Sequence, residues 1–220
     1  KSLVDDYLCI DGKPIGSSSL YQGDATLIDI VKNRDPRLNQ TVCVNDNLHP
    51  RTNNRPGGLP NEEFTNPIVD QATEDNCSTG FQRYKGTDPN YVKQFNGMGD
   101  AGLIFFRYAE VLLTYAEAKA ELGTITQADL DLSINKLRDR VQMPNLVLGS
   151  IVTDANWGFP ALSPIINEVR RERRIELAVE GFRHDDIWRW AGADELIIGK
   201  KPLGAKKAQW TGVSNIDIYK

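Results

Sequence analysis

Between Ile165 and Trp190 the chain reads IINEVRRERRIELAVEGFRHDDIWRW, a helix whose charges do not fall where a surface helix puts them. Ser163 followed by Pro164 is a start signal, because a Ser side chain can cap free N–H groups and Pro lacks the donor that the first turn would waste. Gly181 is the matching stop. Within these limits Ile165, Val169, Ile175, Ala178, Val179 and Phe182 recur at helical spacing, and Glu168, Glu172, Glu176 and Glu180 run along the same side. Carboxylates at i, i+4 repel one another. Arg171, Arg173 and Arg183 stand three residues from Glu168, Glu176 and Glu180 and offer local relief, whereas Glu172 has no such neighbour. An unpaired carboxylate beside an apolar band costs several kcal/mol. The pattern therefore predicts a basic partner for Glu172 from another element, with Arg107 and Arg138 as candidates, and makes this helix the hub of a packed helical array. The alternative is a solvated charged face.

A chain of 220 residues can bury a sizeable core. With 40% apolar and 25% charged residues and a net charge of −4, it fits neither a disordered segment nor a nucleic-acid binder. The basic cluster from Arg170 to Arg174 alternates with glutamates and reads as ion-pair chemistry, not a phosphate-binding stripe. No apolar run reaches the roughly 20 residues that span a bilayer. Cys9, Cys43 and Cys77 are widely spaced with no C-x-x-C, which argues against zinc or redox chemistry and for free buried thiols, with one internal disulfide at most.

Residues 1–100 are rich in Gly, Pro, Asn, Asp and Ser and favour loops with short strands and turns. Asp11-Gly12 within Tyr7 to Ile15 is a hairpin signal weakened by Pro14. Thr26 to Lys32 suggests a short helix before a turn at Asp35-Pro36, and Thr41 to Val44, Phe81 to Lys85 and Tyr91 to Phe95 suggest strands. From Leu103 an amphipathic helix is expected, with Ile104, Phe105, Tyr108, Val111, Leu112, Tyr115 and Ala116 on one face, Glu110, Thr114, Glu117 and Glu121 on the other, and an end at Gly123. Thr126 with Asp129 caps a second helix carrying Leu130, Ile134, Leu137 and Val141, making an antiparallel helical hairpin. A loop over Met143 to Leu162 leads to the hub helix, and a shorter helix follows Gly181 from about Arg183 to Ala191, burying Trp188 and Trp190.

NRDPRL (Asn33 to Leu38), RYAEVLLTYAEAKAELG (Arg107 to Gly123), INKLRDRVQMP (Ile134 to Pro144) and RRERRIELAVEGFR (Arg170 to Arg183), followed by Asp186 and Arg189-Trp190, together resemble the SusD/RagB family of cell-surface lipoproteins. In order and spacing they are similar to the C-terminal half of that family. Phe182 stands where a His is frequent and His184 where an aromatic is frequent. The resemblance implies a mainly α fold with tetratricopeptide-like helix pairs packed against a loop-rich region with a few short strands. It divides the chain into a loop-rich ligand-face region (1–100), a helical core (101–192) and a C-terminal loop segment (193–220). The N-terminal half of the family, with its lipidated Cys and most of its helix pairs, has no counterpart in these residues, so any membrane attachment is through a lipid anchor absent from this chain. The implied role is non-catalytic: capture of a nutrient, usually an oligo- or polysaccharide, at the outer-membrane surface for delivery to a SusC-like TonB-dependent transporter. Alternatives are a RagB-like peptide binder and a helical-repeat interaction scaffold.

The charged residues of the matching motifs read as structural, an ion-pair network of Arg107, Glu110, Glu172, Arg173, Glu176, Glu180, Arg183 and Asp186. For ligand contact, loop aromatics matter more, because sugar rings stack on flat π surfaces. Tyr21, Phe64, Trp157 and Trp210 sit among polar or glycine-rich neighbours and are the candidates, Tyr21 first, although each is also a candidate core residue. Gly97 to Gly102 spells G-x-G-x-x-G before a helix, but no second parallel strand follows, so a flexible entry loop is the better reading. His184, Asp185 and Asp186 point in different directions on a helix and cannot converge on one ion. His49 has no catalytic context. With 30 acidic residues some pair always resembles a glycosidase dyad, and nothing selects one. No cofactor or metal is indicated. Asp- and Asn-rich loops offer oxygens of the kind calcium takes, without EF-hand spacing.

Overall fold

The start signals at Thr26, Thr126 and Ser163-Pro164 act where the sequence puts them, although the Ser163 side chain makes no capping hydrogen bond. The structure, a computed structural model, describes residues 1–44, 69, 77–86, 104–201 and 204–210. It is mainly helical: α1 (Ser2–Asp6), α2 (Leu27–Val31), α3 (Pro36–Thr41), α4 (Tyr108–Glu121), α5 (Gln127–Leu132), α6 (Ile134–Arg140), α7 (Pro164–Glu176), α8 (Phe182–Arg189) and α9 (Ala193–Leu196). The strands β1 (Val42–Cys43) and β2 (Gln82–Arg83) form one short antiparallel pair, Val42 opposite Arg83 and Cys43 opposite Gln82.

Thr26 and Thr126 each close a capping box with an aspartate three residues on, starting α2 and α5. Asp35-Pro36, read as a turn, starts α3: the Asp35 carboxylate accepts the Arg37 amide and Pro36 fills the first helical position. Asp11-Gly12 does form a tight turn, with Gly12 at φ 78°, closed by the Gly12 N–H on Cys9 O at 2.8 Å and the Cys9 N–H on Lys13 O at 2.9 Å; the pairing does not extend into strands, and Cys9 bridges Arg34. The single helix expected after Thr126 is two. Ser133 interrupts it, its hydroxyl donating to the Asp129 carbonyl at 2.5 Å in competition with the helical ladder.

The hub helix is also shorter than expected. It ends at Glu176, five residues before Gly181, because side chains occupy its last carbonyls: the Tyr7 hydroxyl donates to Ile175 O at 3.2 Å, and Lys85 Nζ and Arg107 Nη2 donate to Glu176 O at 2.7 and 2.6 Å. Val179, expected in the apolar band, instead takes a left-handed conformation and is exposed.

Helix α4 begins at Tyr108 and buries a different face from the one its apolar periodicity suggested. Ala109, Leu112, Leu113, Ala116, Glu117 and Ala120 face inward, while Tyr108, Val111 and Tyr115 are exposed, as are Ile104, Phe105 and Phe106 before the helix. Three alanines let α4 pack closely on α7, and Glu117 is tolerated inside because Arg189 and the Trp190 indole N–H bind its carboxylate. Trp188, expected to be buried, is 70% exposed and donates its indole N–H to His184 Nε2. Trp190 is half-buried, with Phe159 edge-on to it and the Arg170 guanidinium lying over both rings at 4.5 and 4.2 Å.

Two apolar cores result among the described residues, and α7 contributes to both. The first gathers Val4, Tyr7, Leu27, Ile30, Leu38, Val42 and Ile175 of α7, with Ala205 and Trp210 returning to it from the end of the described chain. The second gathers the inner faces of α4, α5 and α6 with Val169 and Leu177. Cys9, Cys43 and Cys77 are not joined by disulfides; Cys9 is buried and the others are half-buried. The expected strand Tyr91 to Phe95 and the Gly97 to Gly102 motif lie outside the described residues.

Gly80 shows how tightly the first core is closed. It sits at φ 76°, and a Cβ there would lie 2.2 Å from Cη2 of Trp210. Both the left-handed backbone and the collision oppose a side chain, so Gly80→Ala is expected to lower unfolding free energy by about 2–4 kcal/mol. Urea titration should show a lower midpoint at unchanged slope.

Candidate functional site

The row of acids on α7 is buried, and cations from other segments meet it. Glu172 is 0% exposed; Arg138 Nε donates to its Oε1 at 2.5 Å and Arg37 Nη1 to its Oε2 at 3.1 Å. Arg37 is held in turn by Asp35, with Nη2 to Oδ2 at 2.6 Å, and reaches Glu176 at 3.1 Å. Arg107, one of the two partners considered for Glu172, goes instead to Glu176 Oε1 at 2.6 Å and to both oxygens of Glu180, at 2.7 and 2.8 Å. Arg140 completes the shell of Glu176, and Lys85 that of Glu180 at 2.5 Å.

Of the local pairs read from i, i+3 spacing, Glu168–Arg171 forms at 3.3 Å. The other two do not. Arg173 turns from Glu176 to Asp186 at 2.8 Å, and Asp186 also takes Arg189. Arg183 lies over the Trp190 ring at 5.7 Å, and burial lowers its pKa to about 10. Neither Arg183 nor Glu110 makes an ion pair among the described residues.

Charge balance differs along the row. Burial alone would raise the Glu172 pKa, but the guanidiniums of Arg138 and Arg37 outweigh it and hold the carboxyl below its ordinary value. Glu176 is lowered in the same way against its burial by Arg107, Arg37 and Arg140, and Glu117 by Arg189 and the Trp190 N–H. At Glu168 burial wins over Arg171 and Arg138, and its pKa is raised.

The four candidate aromatics separate. Tyr21 is half-buried, with the Arg34 guanidinium 5.4 Å from its ring centre. Trp157 is half-buried and donates its indole N–H to Glu168 Oε1 at 3.2 Å. Trp210 is core, sealed against Gly80. Phe64 lies outside the described residues, as does His49. The structure thus gives Tyr21 and Trp157 separate neighbourhoods. His184 is exposed and Asp186 buried, so they do not converge, and no cluster of three metal-ligating side chains occurs among the described residues. No described helix is long and apolar enough to cross a membrane.

Arg37, Lys85 and Arg140 were not singled out from the sequence. NRDPRL marked Arg37 only as part of a matching motif, and nothing local says that its partner lies 135 residues away.

Residues 1–214 match the sequence model of the SusD family. A SusD-like protein of Formosa agariphila is 35% identical over 98 residues, which is 44% of this chain and 19% of that protein. Two solved structures from Bacteroides fragilis are also similar. One, described as a SusD-like carbohydrate binding protein, is 31% identical with a TM-score of 0.60, covering 88% of this chain and 36% of its own. The other, a SusD-like protein, is 27% identical with a TM-score of 0.61 over the same shares. The chain therefore spans about a third of the length of the solved structures it matches.

Removing one partner of a buried ion pair leaves the others uncompensated, so Glu172→Ala is expected to cost about 3–5 kcal/mol of stability. The two ends of the acid row should respond oppositely to pH. Glu172 has a lowered folded pKa; its contribution is complete above its unfolded value of about 4.3 and is lost as pH falls through the folded value. Glu168 has a raised one; its contribution is complete below about 4.3 and is lost as pH rises through the folded value. In chemical unfolding between acid and neutral pH, the cost of Glu172→Gln should therefore grow with pH and that of Glu168→Gln should shrink.

Proposed function

The chain belongs to the SusD family, and from that membership we propose that it serves non-catalytic binding of a nutrient, an oligo- or polysaccharide, at the cell surface. The observation that carries this is the 31% identity, over 88% of the chain, to a solved SusD-like carbohydrate binding protein. The physical arrangement agrees with it. Ion pairs tie α7 to α3, α4 and α6, which gives a stiff platform that would position a ligand with little reorganisation. Tyr21 and Trp157 keep part of each ring accessible on non-helical segments, as stacking on sugar faces requires. In the whole protein, the captured glycan would pass to a SusC-like TonB-dependent transporter in the outer membrane, with attachment through a lipid anchor.

A second reading, an interaction scaffold or peptide binder, draws on the exposed side chains of α4, among them Tyr108, Val111 and Tyr115.

The two are separated by presenting the intact protein to glycan and peptide arrays. Polysaccharide binding without release of reducing ends is expected. Tyr21→Ala and Trp157→Ala should each weaken it by a factor of several, corresponding to about 0.5–1.5 kcal/mol of lost ring contact. Trp210→Ala should instead lower stability, by about 3–5 kcal/mol. Retention of peptides alone would favour the scaffold, and release of reducing ends would make the protein an enzyme.

A further inference from the structure

Helices α7 and α8 carry six arginines, and five of them hold a carboxylate. Arg170 takes Glu121 at 2.9 Å, Arg171 takes Asp154 at 2.6 Å and Arg173 takes Asp186 at 2.8 Å. Arg174 pairs with Asp6, and Arg189 with Glu117 and Asp186. Arg183 is the exception, with no ion pair or side-chain hydrogen bond among the described residues. It is half-buried, and its nitrogens are not sealed away from solvent as Nε and Nη1 of Arg170 are.

Its surroundings add to the imbalance. The guanidiniums of Arg170, Arg189 and Arg183 gather round one indole, 4.5, 4.9 and 5.7 Å from the Trp190 ring centre. The acids that act on Arg183, Asp6 and Asp186, are each bound by other arginines. Burial, with the like charges of Arg174 and Arg170, pushes its pKa down to about 10, so it stays charged at neutral pH without a carboxylate of its own. Such a cation is relieved by an anion, and the planar fork of a guanidinium fits two oxygens of a carboxylate or a tetrahedral oxyanion at once. A hydroxyl would take a hydrogen bond and leave the charge uncancelled. The element that presents Arg183 is stiff, because Asp186, one turn on, is clamped by Arg173 and Arg189.

We propose that Arg183 is a recognition residue for an anionic substituent, a carboxylate or a sulfate ester, on the captured glycan. The proposal rests on the glycan-binding reading above and narrows it to acidic polysaccharides.

The test offers the intact protein a panel of polysaccharides and follows binding by calorimetry at low and moderate salt. Polygalacturonate and alginate carry carboxylates, carrageenan and dextran sulfate carry sulfate esters, dextran, laminarin and xylan are neutral, and poly-L-glutamate is a polyanion without sugar. At least one acidic glycan should bind more tightly than every neutral one, with the preference shrinking as salt screens it. Whether the carboxylated or the sulfated members bind shows which substituent is read. Arg183→Gln should weaken that binding about tenfold or more at unchanged melting temperature, since it breaks no ion pair. Arg183→Lys, which keeps the charge and loses the fork, should fall between it and the parent. Lys136→Gln removes the same charge from an exposed position on α6 and should bind as the parent does. The proposal is overturned if neutral glycans bind as tightly as acidic ones, if poly-L-glutamate binds as well as they do, or if Arg183→Gln binds like the parent. A lowered melting temperature in both Arg183 variants overturns it too, by showing that another part of the polypeptide holds the side chain. Neutral polysaccharide binding in any of these cases leaves the broader reading standing, and the absence of all polysaccharide binding removes both.

Discussion

Everything in this molecule leans on one buried carboxylate held between two guanidiniums. Glu172 has no access to water, and only the approach of Arg37 from one side and Arg138 from the other makes its charge tolerable there. Each arginine is itself held: Arg37 by Asp35 at the start of α3, Arg138 by the Pro144 carbonyl beyond α6. Three stretches distant in sequence thus meet at one group. Apolar burial supplies much of the driving force, but it is non-directional and would accept many arrangements of short helices. The charge row restricts them, because a rotation of α7 about its axis that carried Glu172 away from Arg37 and Arg138 would leave a carboxylate buried without a cation.

How far the chain could be read from its residues follows from the range of the forces involved. Capping boxes at Thr26 and Thr126 and the Ser163-Pro164 start are local chemistry, and these helices begin where the residues put them. The need of Glu172 for a remote cation was legible too, since it alone in the row has no arginine three residues away to relieve it. Which cation was not. Arg37 reaches it across 135 residues, and sequence spacing carries no information on such a meeting. The inner face of α4 was misread for a related reason: hydropathy favours Tyr108, Val111 and Tyr115 over Ala109, Ala116 and Glu117, yet close helix packing needs small side chains, and a paired acid can go inside. Trp188 illustrates the same limit, a large aromatic left outside while half-buried Trp190 interacts with Glu117 and Arg170.

The candidate ligand residues were less legible than the frame. Loop aromatics are ambiguous by nature, since the same ring can close a core or face a sugar. Trp210 closes a core, packed with residues far from it in sequence, Gly80 among them. Trp157 does something periodicity could not indicate, placing a hydrogen bond on an acid of the hub helix. Through that bond a loop residue shares a partner with the buried network, so the segment before α7 is tied to the array and does not merely hang from it.

The way α7 ends has a further meaning. Its final carbonyls are occupied by Tyr7, Lys85 and Arg107, side chains from three separate parts of the polypeptide, although the nearest glycine stop stands five positions further on. Helix length is here a property of the assembled whole and not of the segment. The end of α7 therefore depends on those three parts being in place. The boundary between helix and coil at Leu177 thus acts as a built-in register of completed assembly, written in the backbone itself.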